Sequence, residues 1–128
     1  MYASCRMSAC LVILGSLSCA QPVRVLAGQT GAELYDQECA DCHSLAKPPK
    51  NKKGPTLVGI MGKSAASVPN FAYSGALISA AIVWNAANMD AYIKDPKVLV
   101  PGGGKMKYDG LKNSSERAAI VEFLSQQR

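Results

Sequence analysis

The segment Cys39-Ala40-Asp41-Cys42-His43 constrains this chain more than any other. Cys-x-x-Cys-His is the spacing of covalent c-type haem attachment. Two thiols one helical turn apart reach the vinyl groups along a porphyrin edge, and the adjacent imidazole becomes the proximal ligand of the iron. His43 is the only histidine among the 128 residues, so no second imidazole can complete a bis-His site, and a sixth ligand from the protein must be of another kind. Other uses of the pair fit less well. A redox dithiol belongs beside a βαβ pattern, which this sequence does not show. Tetrahedral zinc wants four ligands, where the domain offers two cysteines and one histidine. A structural disulfide gives His43 no role.

The first residues read as an export signal rather than as part of the fold. Arg6 supplies the positive start, Leu11 to Leu17 form a short apolar run, and small-residue cleavage sites end at Ala20 and, alternatively, at Ala27. The apolar run is far shorter than the roughly 20 residues that span a bilayer. Ser16 stands where a lipoprotein signal before Cys19 would prefer leucine. Cys5, Cys10 and Cys19 leave with the signal, so only Cys39 and Cys42 remain in the single domain expected over residues 28–128. An unpaired Cys-x-x-Cys sent to an oxidising compartment has to be consumed, and haem is the natural consumer. The expected location is therefore the periplasm, with an uncleaved signal anchor on the outer face of the inner membrane as the alternative. The 14 lysines and arginines against 9 acids make the chain basic. For an exported protein this excess points to acidic protein surfaces rather than to nucleic acid.

The domain reads as all-α with long loops. Thr30-Gly31-Ala32-Glu33 is a capping box, predicting a helix that runs to about Cys42 with Leu34 and Tyr35 on its buried side. Residues 47–62, rich in Lys, Pro and Gly, must be mostly loop. A short helix is expected from Ser74 or Gly75 through Ala81, and another from about Asn85 to Lys94, stopped by Asp95-Pro96. Pro101-Gly102-Gly103-Gly104-Lys105-Met106 is irregular backbone, and a last helix starts near Asn113-Ser114 with Ala119, Ile120, Phe123 and Leu124 as its apolar face. No strand of convincing length is visible. Loops this long need something to wrap around.

From Gly31 to Leu124 the chain resembles the class I cytochromes c, an all-α fold of short helices and loops around one covalent haem c. The motif at Cys39, Cys42 and His43 lies near the start of the mature domain, as in that family. Gly54-Pro55 resembles the family's Gly-Pro, which implies that the Pro55 carbonyl accepts a hydrogen bond from His43. Gly62-Lys63 stands where the family commonly has Gly-Arg, implying a propionate contact from Lys63. Phe71-Ala72-Tyr73 resembles a Phe-x-Tyr segment that makes Tyr73 a propionate donor, with Trp84 as a second donor and Tyr92 as the phenol beside the methionine ligand. Pro96 through Met106 resembles the segment that ends in the distal ligand, naming Met106, although Pro101 to Met106 carries one residue more than usual and lacks the family's threonine. Met61 and Met89 read as core residues. The terminal helix implies a close crossing with the first, where Gly31 would admit Ile120 and Phe123.

The resemblance implies a soluble one-electron carrier rather than an enzyme, shuttling electrons in a respiratory, photosynthetic or dehydrogenase pathway. Its partners would be acidic redox proteins such as an oxidase, a reductase complex or a dehydrogenase. A monomer is expected, meeting membranes only through those partners. Lysines around the two ligand segments, among them Lys50, Lys52, Lys97 and Lys105, would form a basic docking rim. Two alternatives are a haem peroxidase or gas sensor with a displaceable methionine, and a cytochrome subunit permanently docked on a dehydrogenase.

Overall fold

The computed structural model describes residues 28–102 and 104–128. The expected export signal and Gly103 lie outside them. The order of elements is α1 (Gly31–Glu38), α2 (Gly75–Ser79), α3 (Ala86–Lys94), α4 (Pro96–Leu99) and α5 (Ser114–Ser125).

Each start has a local cause. Thr30 Oγ1 accepts the Glu33 N–H while the Glu33 carboxylate accepts the Thr30 N–H at 2.8 Å, so the capping box closes in both directions. Ser74, Asn85 and Asn113 cap α2, α3 and α5 with side-chain oxygens on the first free N–H groups. α1 ends at Glu38, shorter than its sequence suggests. Cys39 already leaves helical geometry, and the motif continues as turns, with the N–H groups of Cys42 and His43 both donating to the Cys39 carbonyl. Asp95-Pro96 does stop α3, but Asp95 Oδ1 at once accepts the Lys97 N–H at 3.0 Å and Pro96 opens the single turn of α4, an element the sequence reading does not contain.

α5 packs on α1 and on α3. At the α1–α5 crossing a Cβ on Gly31 would collide with the Ala119 carbonyl oxygen and lie 2.7 Å from Phe123 Cβ, so the close approach requires glycine. The facing atoms come from Ala119 and Phe123, whereas Ile120, expected there, is turned into the core and fully buried. Burying a side chain of that size contributes about 2–3 kcal/mol. Tyr35 stacks obliquely on Phe123 at 5.6 Å between ring centroids. Arg117 is also buried. Its guanidinium donates to Asp90 Oδ1 at 2.8 Å and to the carbonyls of Leu111 and Lys112 at 3.1 and 2.9 Å, joining α5, α3 and the end of the last loop. Among the described residues extended pairing is confined to one bridge between Ser64 and Val83. No helix there is long and apolar enough to cross a membrane.

Candidate haem site

The helices and loops surround a cavity of about 340 Å³ whose wall is mostly apolar. Cys39, Cys42 and His43 lie on it together with Gly54 and Pro55, and Met106 reaches it from the glycine-rich loop.

The proximal wall is built from main chain. His43 Nδ1 lies 2.8 Å from the Pro55 carbonyl oxygen. A carbonyl can only accept, so Nδ1 carries the proton and Nε2 keeps its lone pair free for a metal. Burial holds the imidazole pKa below its ordinary value. The Pro55 bond opposes that shift, and the Lys52 charge adds to it. The ring is therefore neutral at neutral pH, the form that ligates. Gly54 makes room for it, because a Cβ there would stand 2.5 Å from His43 Cε1 and 2.8 Å from Nδ1. The loop is fastened by Gly54 N–H to the Cys42 carbonyl at 2.7 Å and by the buried Thr56 hydroxyl to the Ser44 carbonyl at 3.0 Å.

The cysteines are free thiols on the cavity wall. Burial pushes the Cys39 thiol up to about 12, with the Glu38 and Cys42 charges adding to the effect. Cys39 is therefore not the low-pKa attacking thiolate of a redox dithiol. Among the described residues no three His, Cys, Asp or Glu side chains converge as metal ligands, so the donor set of a zinc site is not assembled. A haem does fit the donors present: two thiols at one edge, a neutral imidazole with a free nitrogen and a glycine cradle beneath it, and a thioether on the same cavity.

The remaining sequence candidates divide. Tyr73, Trp84 and Tyr92 all line the cavity. The Tyr73 oxygen accepts the Val68 N–H at 3.3 Å, which leaves its own proton available to donate, and its ring meets Phe71 edge-on at 4.9 Å. Trp84 is buried against Tyr92, 5.0 Å between centroids, and burial raises the Tyr92 pKa. Lys63 is not brought to the cavity. It is exposed, extends its ammonium over Gly59, and is tied by its main chain to Ile60 and Trp84. Its neighbour Gly62 has a positive φ. Met61 packs against the core and does not line the cavity, whereas Met89, buried on α3, does. Two methionines therefore reach the site.

Of the four lysines expected to dock partners, Lys105 lines the cavity and donates to the Ala72 carbonyl at 2.9 Å, and Lys52 donates to the Ala40 carbonyl at 2.5 Å. Lys50 and Lys97 are exposed but do not line the cavity, which Lys53 and Lys107 do. Sequence reasoning also passed over Glu38 and Tyr108, which meet on the cavity wall through a 2.6 Å hydrogen bond. Their adjacency to Cys39 and Met106 was the available signal.

The family model "Cytochrome c" matches residues 28–128. Cytochrome c of Sesamum indicum is 33% identical over 98 residues, covering 77% of this chain and 87% of that protein. Cytochrome c-550 of Bradyrhizobium diazoefficiens is 39% identical over 89 residues, 70% of this chain and 65% of its own. Cytochrome c2 of Rhodomicrobium vannielii is 37% identical over 97 residues, 76% of each. A turn-bound Cys-x-x-Cys-His over an apolar cavity, a Gly-Pro main chain holding the imidazole and this extent of similarity lead to one conclusion: the chain belongs to the cytochrome c family, the all-α electron carriers that hold haem c covalently.

Proposed function

We propose that this electron carrier holds its haem through Cys39 and Cys42, with His43 and Met106 as axial ligands, and exchanges single electrons at the cavity mouth. The observation that carries the reading is the 2.8 Å contact of His43 Nδ1 with Pro55, which frees Nε2, on the same cavity that Met106 enters. In attachment the Cys39 and Cys42 S–H groups would each add across a vinyl C=C, sulfur to one carbon and hydrogen to the other, so no oxidant would be consumed. Bound haem supplies an iron that alternates between Fe(II) and Fe(III). Pro55 holds the His43 ring in one tautomer through both states. The Met106 thioether is a soft, weak donor that favours Fe(II) and raises the potential. The apolar wall built by residues such as Trp84, Met89 and Ile93 excludes water and disfavours the more charged state. Tyr73 and Trp84 are placed to donate to propionates. Among the described residues the lining contains neither a second imidazole nor a guanidinium, which speaks for electron transfer over peroxide chemistry.

We further propose export, with cleavage after Ala20 or, alternatively, Ala27, and transient docking of acidic partners on the lysine rim. The rim includes Lys53 and Lys107 with Lys52 and Lys105, and Lys50 and Lys97 farther out. The mass of the mature protein reads the cleavage site directly. Charge reversal at Lys50 or Lys97 should slow association with an acidic partner at low salt and matter little at high salt.

The ligand set is tested by substitution. Met106→Ala should let reduced protein bind carbon monoxide and should lower the potential. Met89→Leu and Met61→Leu should do neither, costing at most about 1.5 kcal/mol in repacking. Carbon monoxide binding opened by Met89→Leu instead would transfer the distal role to α3.

A further inference from the structure

One polar contact on the cavity wall lies outside the proposed ligand set. Tyr108, just past Met106, donates its hydroxyl to Glu38 Oε2 at 2.6 Å across a separation of 70 residues. Glu38 ends α1 and immediately precedes Cys39, and both side chains are half-buried on the cavity wall. The bond thus joins the chain that carries the thiols to the chain that carries Met106.

Elsewhere that loop is loosely held. Among the described residues, main-chain bonding stops where Val100 N–H donates to the Pro96 carbonyl and resumes where Leu111 N–H donates to the Ile93 carbonyl. Gly102 and Gly104 sit at φ +82° and +59° in the interval, which gives the backbone wide freedom once released. Lys105 fastens the loop on one side of Met106 through the Ala72 carbonyl. On the other side the fastening is Tyr108 on Glu38. An O–H donated to a carboxylate is a short, charge-assisted bond, stronger than a neutral pair.

We propose that the Glu38–Tyr108 bond is a latch that positions Met106, setting how often the distal loop leaves the iron and so how readily an outside ligand gains access. Tyr108 and Glu38 are positioning residues that act through the loop. The inference rests on the reading of Met106 as distal ligand.

Imidazole binding to the oxidised holoprotein, followed by the visible spectrum, tests both statements separately. Tyr108→Phe keeps the ring and removes the donor, and should tighten apparent imidazole binding about tenfold. Glu38→Ala should do the same, and the double variant no more than either alone, because both break one bond. Glu38→Gln keeps a neutral acceptor and should give about threefold. In a Met106→Ala background no thioether has to leave, so Tyr108→Phe should change the affinity by less than about twofold. Unchanged binding in Tyr108→Phe, additive effects in the double variant, or an equal effect in the Met106→Ala background would each overturn the latch alone. A Met106→Ala protein that binds imidazole no better than the parent would overturn the ligand reading, and the latch with it.

Discussion

Residues 39–57, on the proposed proximal side, are tied together by main-chain bonds, whereas the described residues of the proposed distal loop, 101–102 and 104–108, are tied to the fold by side chains. Around His43 the N–H groups of Cys42, His43, Gly54 and Leu57 all find carbonyls within the segment, and the buried Thr56 hydroxyl closes onto Ser44. Around Met106, among the described residues, the bonds that reach other segments are made by the ammonium of Lys105 and the hydroxyl of Tyr108. Main-chain bonds leave an imidazole little freedom. Side-chain tethers hold a thioether in place but can let go one at a time. An electron carrier needs its proximal ligand fixed in both oxidation states, and it can tolerate a distal ligand whose hold is tuned.

The largest effect should come from the proximal side. Gly54→Ala puts a Cβ into the imidazole, so the ring must shift and its bond to Pro55 must break. We expect a loss of about 3 kcal/mol in the holoprotein and a poor yield of low-spin haem, read by denaturant melts and spectra. Wild-type behaviour of this variant would mean that the proximal wall yields as easily as the distal one.

Next is the anchor where the distal loop rejoins the fold. Arg117→Met removes the guanidinium that holds Asp90 and the carbonyls of Leu111 and Lys112. The Asp90 side chain is 40% exposed and can regain water, so the cost should be about 2 kcal/mol rather than the full value of a broken buried pair. Hydrogen exchange should locate the loosening at residues 109–117, with His43 ligation intact.

Thr56→Val should lower the unfolding free energy by about 1 kcal/mol, since the Val58 N–H also loses its acceptor. Its effect on ligand exchange at Met106 should be undetectable, which would mark the two sides as separate units.

The smallest effect is the most selective. Gly102→Ala meets open space but a backbone at φ +82°. The strain, partly offset by a stiffer released loop, should be about 0.5 kcal/mol. It should appear as roughly twofold easier displacement of Met106 by imidazole, with the unfolding free energy lowered by no more than that same amount. A fall in the midpoint without easier displacement would show that the loop unfolds only with the whole protein.

The chemistry of the site and most helix starts were legible along the chain because their partners sit within a turn or two of each other. Cys39, Cys42 and His43 are the proposed haem attachment by their spacing, Thr30 and Glu33 close a cap over three residues, and Asp95-Pro96 ends α3 where it stands. Expectations weakened once a contact depended on the path of the chain in between. Lys63 is a propionate contact by position in the sequence, while in the fold its ammonium lies beside Gly59 and does not line the cavity. Arg117 reads as one more charge on a terminal helix, and only the meeting of α3, α5 and the loop end at Leu111 gives it the acceptors that allow burial. The pairing of Glu38 with Tyr108 spans 70 residues and has no periodic or compositional trace. Sequence determined which groups could do the chemistry, through bonds between near neighbours. Tertiary structure alone decided what holds the distal group in place, because the tethers of a glycine-rich loop come from wherever the fold happens to bring a donor and an acceptor together.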